Sequence, residues 1–92
     1  MTKDDLATSK LPDAPGVYFF LDDTKKILYI GKATSLRTRV RSYFAKDLES
    51  KRSPLIEKMV REASAVEWSE TDSVLEALIL ETNLIRTHKP TY

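Results

Sequence analysis

Six side chains stand out for the chemistry they could do: phenols at Tyr18, Tyr29 and Tyr43, cations at Lys32 and Arg39, and a carboxylate at Glu81. A phenol can donate or accept a proton, a guanidinium fork matches two oxygens of an anion, and a carboxylate drawn out of water needs a cation. Tyr18 and Tyr29 belong to the tripeptides Gly16-Val17-Tyr18 and Tyr29-Ile30-Gly31, which are separated by ten residues. Residues 16–21 and 27–30 are β-branched and aromatic runs joined by the polar loop Asp22-Asp23-Thr24-Lys25-Lys26. That pattern predicts a β-hairpin with its two phenols on neighbouring strands. Two tyrosines in a hairpin ordinarily do no more than pack across it. The flanking glycines, Lys32 and the helix that follows argue for a site.

Gly31 is expected to end the second strand, and Thr34 or Ser35 to cap a helix whose apolar positions Leu36, Val40, Tyr43 and Phe44 recur at i, i+4, i+7 and i+8. At about 100° per residue, Arg39 falls on one border of that stripe, a turn from Tyr43, and Arg37 and Arg41 fall on the other. Arg39 and Tyr43 can therefore face the hairpin edge. Near the end of the chain, Val74, Leu78 and Ile85 cluster on one helical sector and Ala77 and Leu84 lie to one side, with Glu81 between the two groups. Glu76, Asp72 and Asn83 occupy the opposite, polar sector, so Glu76 reads as a cap or surface charge. Either Glu81 meets a basic residue such as Lys32 or Arg39 in a structural pair, or it opens into a cleft and holds a cation.

The elements that must position these groups are few, because 92 residues make one small domain. Ser53 and Pro54 mark the start of a second helix with Leu55, Ile56, Met59, Val60 and Ala63 as its buried face. Residues 65–69 alternate, with Val66 and Trp68 on one side, which predicts a half-buried third strand with Trp68 in the core. A last helix starts near residues 71–73, where Ser73 and Glu76 have capping-box spacing, and stops before Pro90. The order β-β-α-α-β-α implies an α/β (α+β) fold, a small three-stranded, mainly antiparallel sheet covered by three helices.

Charge is segregated along the chain. Residues 32–61 hold nine Lys or Arg against three acids, and residues 62–82 hold six acids and no base, behind a net charge of only +1. One face or edge is expected to be positive. Arg37, Arg41, Lys51, Arg52, Lys58 and Arg61 are the residues available to neutralise phosphates, although a solvated helix face is the plainer reading of such a run. With no Cys and the lone His88, a disulfide framework, a zinc site and a cysteine nucleophile are excluded. Residues 1–10 are polar and no apolar run approaches the roughly 18 residues of a bilayer span, so a cytoplasmic protein without a membrane partner is expected.

Taken together, Gly-Val-Tyr, the block Tyr29-Ile30-Gly31-Lys32-Ala33, Arg39-Val40-Arg41-Ser42-Tyr43, the run from Glu76 to Ile85 and Lys89-Pro90-x-Tyr92 resemble the N-terminal GIY-YIG nuclease domain of the bacterial excinuclease subunit UvrC. The resemblance implies hydrolysis of a DNA phosphodiester on the 3′ side of a lesion in nucleotide excision repair. It also implies a divalent metal, magnesium or manganese, damaged double-stranded DNA as substrate and a UvrB-like partner protein. By the same resemblance the metal ligand matches Glu81, the position that the helical wheel selects. The catalytic groups match Tyr18, Tyr29, Lys32, Arg39 and Tyr43, and Gly31 matches the glycine that lets the backbone approach the site. The family commonly has an Asn after the Pro-x-Tyr segment, where this chain stops, so the expectation is a domain excised from a longer protein, acting as a monomer.

These residue types suit such a reaction. Phosphodiester hydrolysis needs an activated water, neutralised phosphoryl oxygens and a stabilised leaving alkoxide. A hard divalent ion keeps waters and substrate phosphate among its ligands, so one carboxylate can anchor it. Arg39 would stabilise the transition state, and a Tyr29 phenolate, favoured by nearby positive charge, could take the water's proton. A freestanding GIY-YIG nuclease or an excinuclease homologue would use the same parts. A non-catalytic DNA-binding module would be expected to lack Glu81, Arg39 or a site tyrosine, and all are present.

Overall fold

A computed structural model describes residues 10–43 and 54–92 of the chain. The elements follow in the order β1 (Gly16–Leu21), β2 (Ile27–Ala33), α1 (Leu36–Ser42), α2 (Pro54–Glu62), β3 (Ala65–Glu70) and α3 (Val74–His88). Expectations for Phe44, for the phosphate contacts Lys51 and Arg52, and for the Ser53 cap lie outside the described residues.

The sheet is antiparallel throughout, with strand order β2-β1-β3. The hairpin is closed by Asp22, whose Oδ1 accepts from the Thr24 amide at 2.9 Å, the Thr24 hydroxyl at 2.7 Å and the Lys26 amide at 2.9 Å. Those bonds hold the Asp22 carboxyl below its ordinary value, a perturbation that belongs to turn architecture and not to a site. Strand β2 does not end at Gly31. It continues to Ala33 because Gly31, Lys32 and Ala33 pair with Tyr18, Val17 and Gly16. The register shifts between Phe20 and Leu21, so that Leu28 as well as Tyr29 joins the core on the same side.

Side-chain alternation gives the sheet two unequal faces. Tyr18, Phe20, Leu28 and Ala33 form one large buried cluster with Leu11, Leu36, Val40, Tyr43, Met59 and Ala63, and α1 and α2 cover it. On the other face only Val17, Ile30 and Ala77 are fully buried, with Phe19, Ile27, Leu80 and Leu84 partly so, under α3. Gly16 is required where α1 meets the sheet, since a Cβ there would run into the Ser69 carbonyl and lie 2.7 Å from Leu36 Cδ1.

Helix α1 begins as expected at Ser35, whose Oγ accepts from the Thr38 amide at 3.3 Å. Its remaining first-turn amides are met by the preceding segment: Leu36 N–H donates to the Ala14 carbonyl at 2.9 Å and Arg37 N–H to that of Pro12 at 3.1 Å. In α3, Ser73 caps the Glu76 amide at 3.1 Å. The Glu76 carboxylate reaches back to the Asp72 amide at 3.2 Å, one residue earlier than a capping box would have it. The helix stops at Lys89, which adopts the left-handed conformation with φ 48° just before Pro90.

Three core expectations are corrected. Leu55 is 64 % exposed, because the buried arc of α2 runs from Met59 through Ala63 and Ile56 to Val60 and leaves Leu55 beyond its border. Trp68 is 36 % exposed, because β3 is an edge strand and α1 covers β1 and β2. In α3 the inward face is Ala77, Leu80 and Leu84, and the larger residues Val74, Leu78 and Ile85 stand exposed.

Candidate active site

Three phenols converge on the heavily packed face. Tyr18 on β1 and Tyr43 at the end of α1 are both buried, and their hydroxyls lie 2.6 Å apart in a hydrogen bond. Tyr29, half-buried on the neighbouring strand, has its ring centroid 6.3 Å from Tyr18 and 6.5 Å from Tyr43, and Phe20 supports the group edge-on at 5.0 Å from Tyr43. Such spacings are those of stacked and edge-to-face aromatic pairs. Burial first, then the adjoining Tyr43 phenol, drives the Tyr18 phenol far above the ordinary tyrosine value, with the Arg39 charge acting in the opposite sense. Tyr18 is therefore a neutral phenol that gives or receives a hydrogen bond, and it cannot serve as a base near neutrality.

Gly31 takes its place from this cluster. It pairs with Tyr18 across the ladder, and a Cβ on it would strike the Tyr18 hydroxyl and ring, with Cε1 at 2.9 Å. The close approach expected at Gly31 is that of an aromatic ring lying flat over bare backbone.

Strand alternation divides the other residues. Tyr29 and Gly31 share the face of Tyr18, whereas Lys32, opposite Val17, belongs to the face that α3 covers. Lys32 thus lies across the strand from the phenols and on the side of Glu81. Strand β2, which carries Tyr29, Gly31 and Lys32, is an outer strand of the sheet. Glu81 is half-buried on the rim of the inward face of α3, between Ala77 and Leu84 on one side and the exposed Val74 and Leu78 on the other. It forms no ion pair among the described residues, so the structural pair with Lys32 or Arg39 that the sequence left open is not made. No group of three or more His, Asp or Glu gathers among the described residues. One carboxylate with room for water and phosphate ligands still fits a hard divalent cation, which needs few protein donors.

Arg39 is exposed and forms no ion pair among the described residues. It lines a groove of about 300 Å³ with Thr34, Ser35, Thr38 and Ser42. Of the six cations read as phosphate contacts, the four among the described residues differ in their surroundings. Arg41 and Arg61 are exposed, but Arg37 Nε donates to the Leu11 carbonyl at 2.9 Å and so holds the segment before β1, and Lys58 stands 3.9 Å from Glu62 in an exposed i,i+4 pair. The sequence reading missed Tyr92, whose amide donates to the Leu28 carbonyl at 2.8 Å and whose hydroxyl donates to Glu62 at 2.9 Å. Burial and that carboxylate raise its phenol above the ordinary value. An aromatic residue two positions past a helix-stopping proline was the available signal.

Residues 14–92 match the family model of the UvrC-like GIY-YIG domain. The chain belongs to that family. Curated relatives agree: UvrABC system protein C of Synechococcus sp. (strain JA-2-3B'a(2-13)) is 49 % identical over 83 residues, covering 90 % of this chain and 13 % of that protein. Its counterpart in Synechococcus elongatus is 53 % identical over 81 residues, 88 % of this chain and 12 % of that protein. The chain thus spans about an eighth of the length of these relatives. Among solved structures, the GIY-YIG N-terminal endonuclease domain of UvrC from Thermotoga maritima, bound to its catalytic divalent cation magnesium, superposes with a TM-score of 0.81. It is 33 % identical and the match covers 100 % of this chain and 98 % of that one. Tyrosine-to-phenylalanine mutants of that domain also hold the cation. The three-stranded, three-helix arrangement here is therefore the GIY-YIG fold of UvrC.

Proposed function

We propose that this GIY-YIG domain is a metal-dependent DNA endonuclease that hydrolyses a phosphodiester 3′ of a lesion in nucleotide excision repair. The observation that carries the reading is Glu81, a half-buried carboxylate without an ion-pair partner among the described residues, on the helix that packs against β2, the strand that carries Tyr29. Glu81 would hold magnesium or manganese. When bound, such an ion polarises a phosphoryl oxygen and lowers the pKa of bound water.

The chain's own groups divide the remaining work. Arg39 neutralises charge that builds on the phosphoryl oxygens, through a fork that matches two of them. Tyr29, the least buried of the three phenols, accepts the proton of the attacking water. Tyr18 and Tyr43, joined by their hydrogen bond, hold the Tyr29 ring in position, and Lys32 supplies positive charge from the α3 side of the strand. Exposed Arg41 and Arg61 hold the duplex through phosphates without reading sequence. No described helix is long and apolar enough to cross a membrane, and we place the reaction in the cytoplasm, on damaged duplex DNA, with one copy of the domain acting beside a UvrB-like protein that selects the lesion.

Glu81→Gln tests the reading. It should abolish magnesium-dependent nicking of an end-labelled duplex while changing stability by no more than about 1–2 kcal/mol, because it removes a charge that no described residue pairs. Glu76→Gln, at the cap, is the control and should nick normally. A Glu81→Gln protein that nicks at the parent rate would remove Glu81 from the site.

A further inference from the structure

We infer that the groove along α1 seats the DNA backbone next to the bond being cut, with the hydroxyls of Thr34 and Thr38 as its hydrogen-bond donors. This rests on the nuclease reading above and adds a binding surface to it. The groove encloses about 300 Å³ between Thr34, Ser35, Thr38, Arg39 and Ser42. Thr38, Arg39 and Ser42 lie on α1, and Thr34 and Ser35 belong to the turn that leads into it, with Ser35 as the cap. Its side chains are one guanidinium and four hydroxyls, with no carboxylate and no large apolar group. Such a wall can hydrogen-bond a chain of anionic and ether oxygens.

Two of the four hydroxyls are already engaged. Ser35 Oγ donates to Asp13 at 2.6 Å and accepts from the Thr38 amide, and Ser42 Oγ donates to the Arg39 carbonyl at 2.5 Å. Thr38 Oγ1 accepts from Ser35 Oγ at 3.2 Å, and no hydrogen bond among the described residues takes its own proton. The exposed Thr34 hydroxyl makes no hydrogen bond with the described residues. Thr34 precedes the helix cap and Thr38 lies in the first turn, with Arg39 directly after it. With the scissile phosphate at Arg39, the strand on one side of it runs past Thr38 and Thr34.

Neutral donors fix the register of a backbone without releasing counterions, which separates them from the cations of the same surface. The experiment measures binding of the 92-residue chain to a fluorescein-labelled duplex by anisotropy in EDTA over a series of KCl concentrations. The double variant Thr34→Val with Thr38→Val should weaken binding about fivefold, the loss expected for two exposed hydrogen bonds, with an unchanged slope of log affinity against log salt. Thr38→Ser should bind like the parent. A second measurement leaves the protein intact: a duplex with methylphosphonates along one strand should weaken the parent by a larger factor than the double variant, which has already lost the two hydroxyl contacts. A folded double variant that binds within twofold of the parent, or a parent indifferent to the methylphosphonates, overturns the inference. Failure of the parent to nick with magnesium overturns the nuclease reading instead, and leaves the binding result to stand separately.

Discussion

The two faces of the sheet are built to different standards. Under α1 and α2, eight further buried residues close around Tyr18 and Phe20, and every phenol of the candidate site belongs to or packs against that cluster. Under α3, three residues are fully buried, and Val74, Leu75, Leu78, Ile79 and Ile85 of the helix itself are 40–65 % exposed. The groups proposed for proton transfer and charge stabilisation thus rest on the rigid face, where an aromatic ring cannot shift without disturbing its neighbours. The proposed metal carboxylate rides on the lightly seated helix. Glu81 would hold a metal ion from the loose side while Tyr29 and Arg39 act from the tight one, which makes the two faces separable by mutation.

The largest effect should come from the tight face. Phe20→Ala removes a fully buried ring that packs against both Tyr18 and Tyr43, and should cost about 3–5 kcal/mol in chemical denaturation. Ile30→Val on the other face should cost only about 0.5–1.5 kcal/mol. Equal losses at the two positions would contradict the contrast between the faces.

Next in size are the reacting groups on that face. Arg39→Ala and Tyr29→Phe should each lower the nicking rate by about 100-fold, a loss typical of a transition-state group, while DNA affinity changes far less. Single-turnover cleavage beside anisotropy separates the two quantities. Parallel losses in both would reduce these residues to phosphate holders.

The same contrast explains what could be read from the residues alone. Turn chemistry, strand alternation and caps are local, so the hairpin, the Ser35 and Ser73 caps, the element order and the inward positions Leu36, Val40, Met59 and Ala63 were legible. Glu81 was also legible, as an acid between two apolar sectors. A helical wheel shows that a face is apolar but not which part of it a three-stranded sheet can cover. Val74, Leu78 and Ile85 were therefore taken as buried, although the smaller Ala77 permits the closer approach to β1 and β2. Trp68 misled for a related reason: its alternation was right, and its place at the sheet edge was a fact of strand order. Lys32 entered the site reading through its place in the Tyr29-Ile30-Gly31-Lys32-Ala33 block, and strand alternation sets it on the face opposite the phenols.

A smaller effect probes the pair at the centre of the cluster. Tyr18→Phe removes the hydrogen bond between the buried Tyr18 and Tyr43 hydroxyls and should cost about 0.5–1.5 kcal/mol. The Tyr18 phenol is raised in the folded state above the ordinary value of 10.0, so above that pH the unfolded chain releases a proton that the folded chain keeps. The unfolded state then binds fewer protons, and stability falls as pH rises beyond 10. Below that pH the contribution is fully present. Urea titrations from pH 8 to 11 should show the parent losing stability on this limb more steeply than Tyr18→Phe. Identical slopes would mean that another group sets the alkaline limb.

The smallest expected change lies on the outer side of α3. Leu75 and Ile79 are 65 % and 55 % exposed, so replacing either with Gln removes little apolar area from the folded core and keeps good helix propensity. Each substitution should change stability by no more than about 0.5 kcal/mol in urea titration. Ala77→Gln is the counterpart on the same helix: Ala77 is fully buried against Val17 and Ile30, and the added side chain has no space without lifting α3 from the sheet. If α3 is seated only through its narrow inward face, Ala77→Gln should destabilise the domain clearly and weaken magnesium-dependent nicking as Glu81 moves with the helix, while Leu75→Gln and Ile79→Gln leave both unchanged. A loss of more than 1 kcal/mol at Leu75 or Ile79 would show that the outer side of α3 is packed after all, and that the two faces of the sheet differ less than their burial indicates.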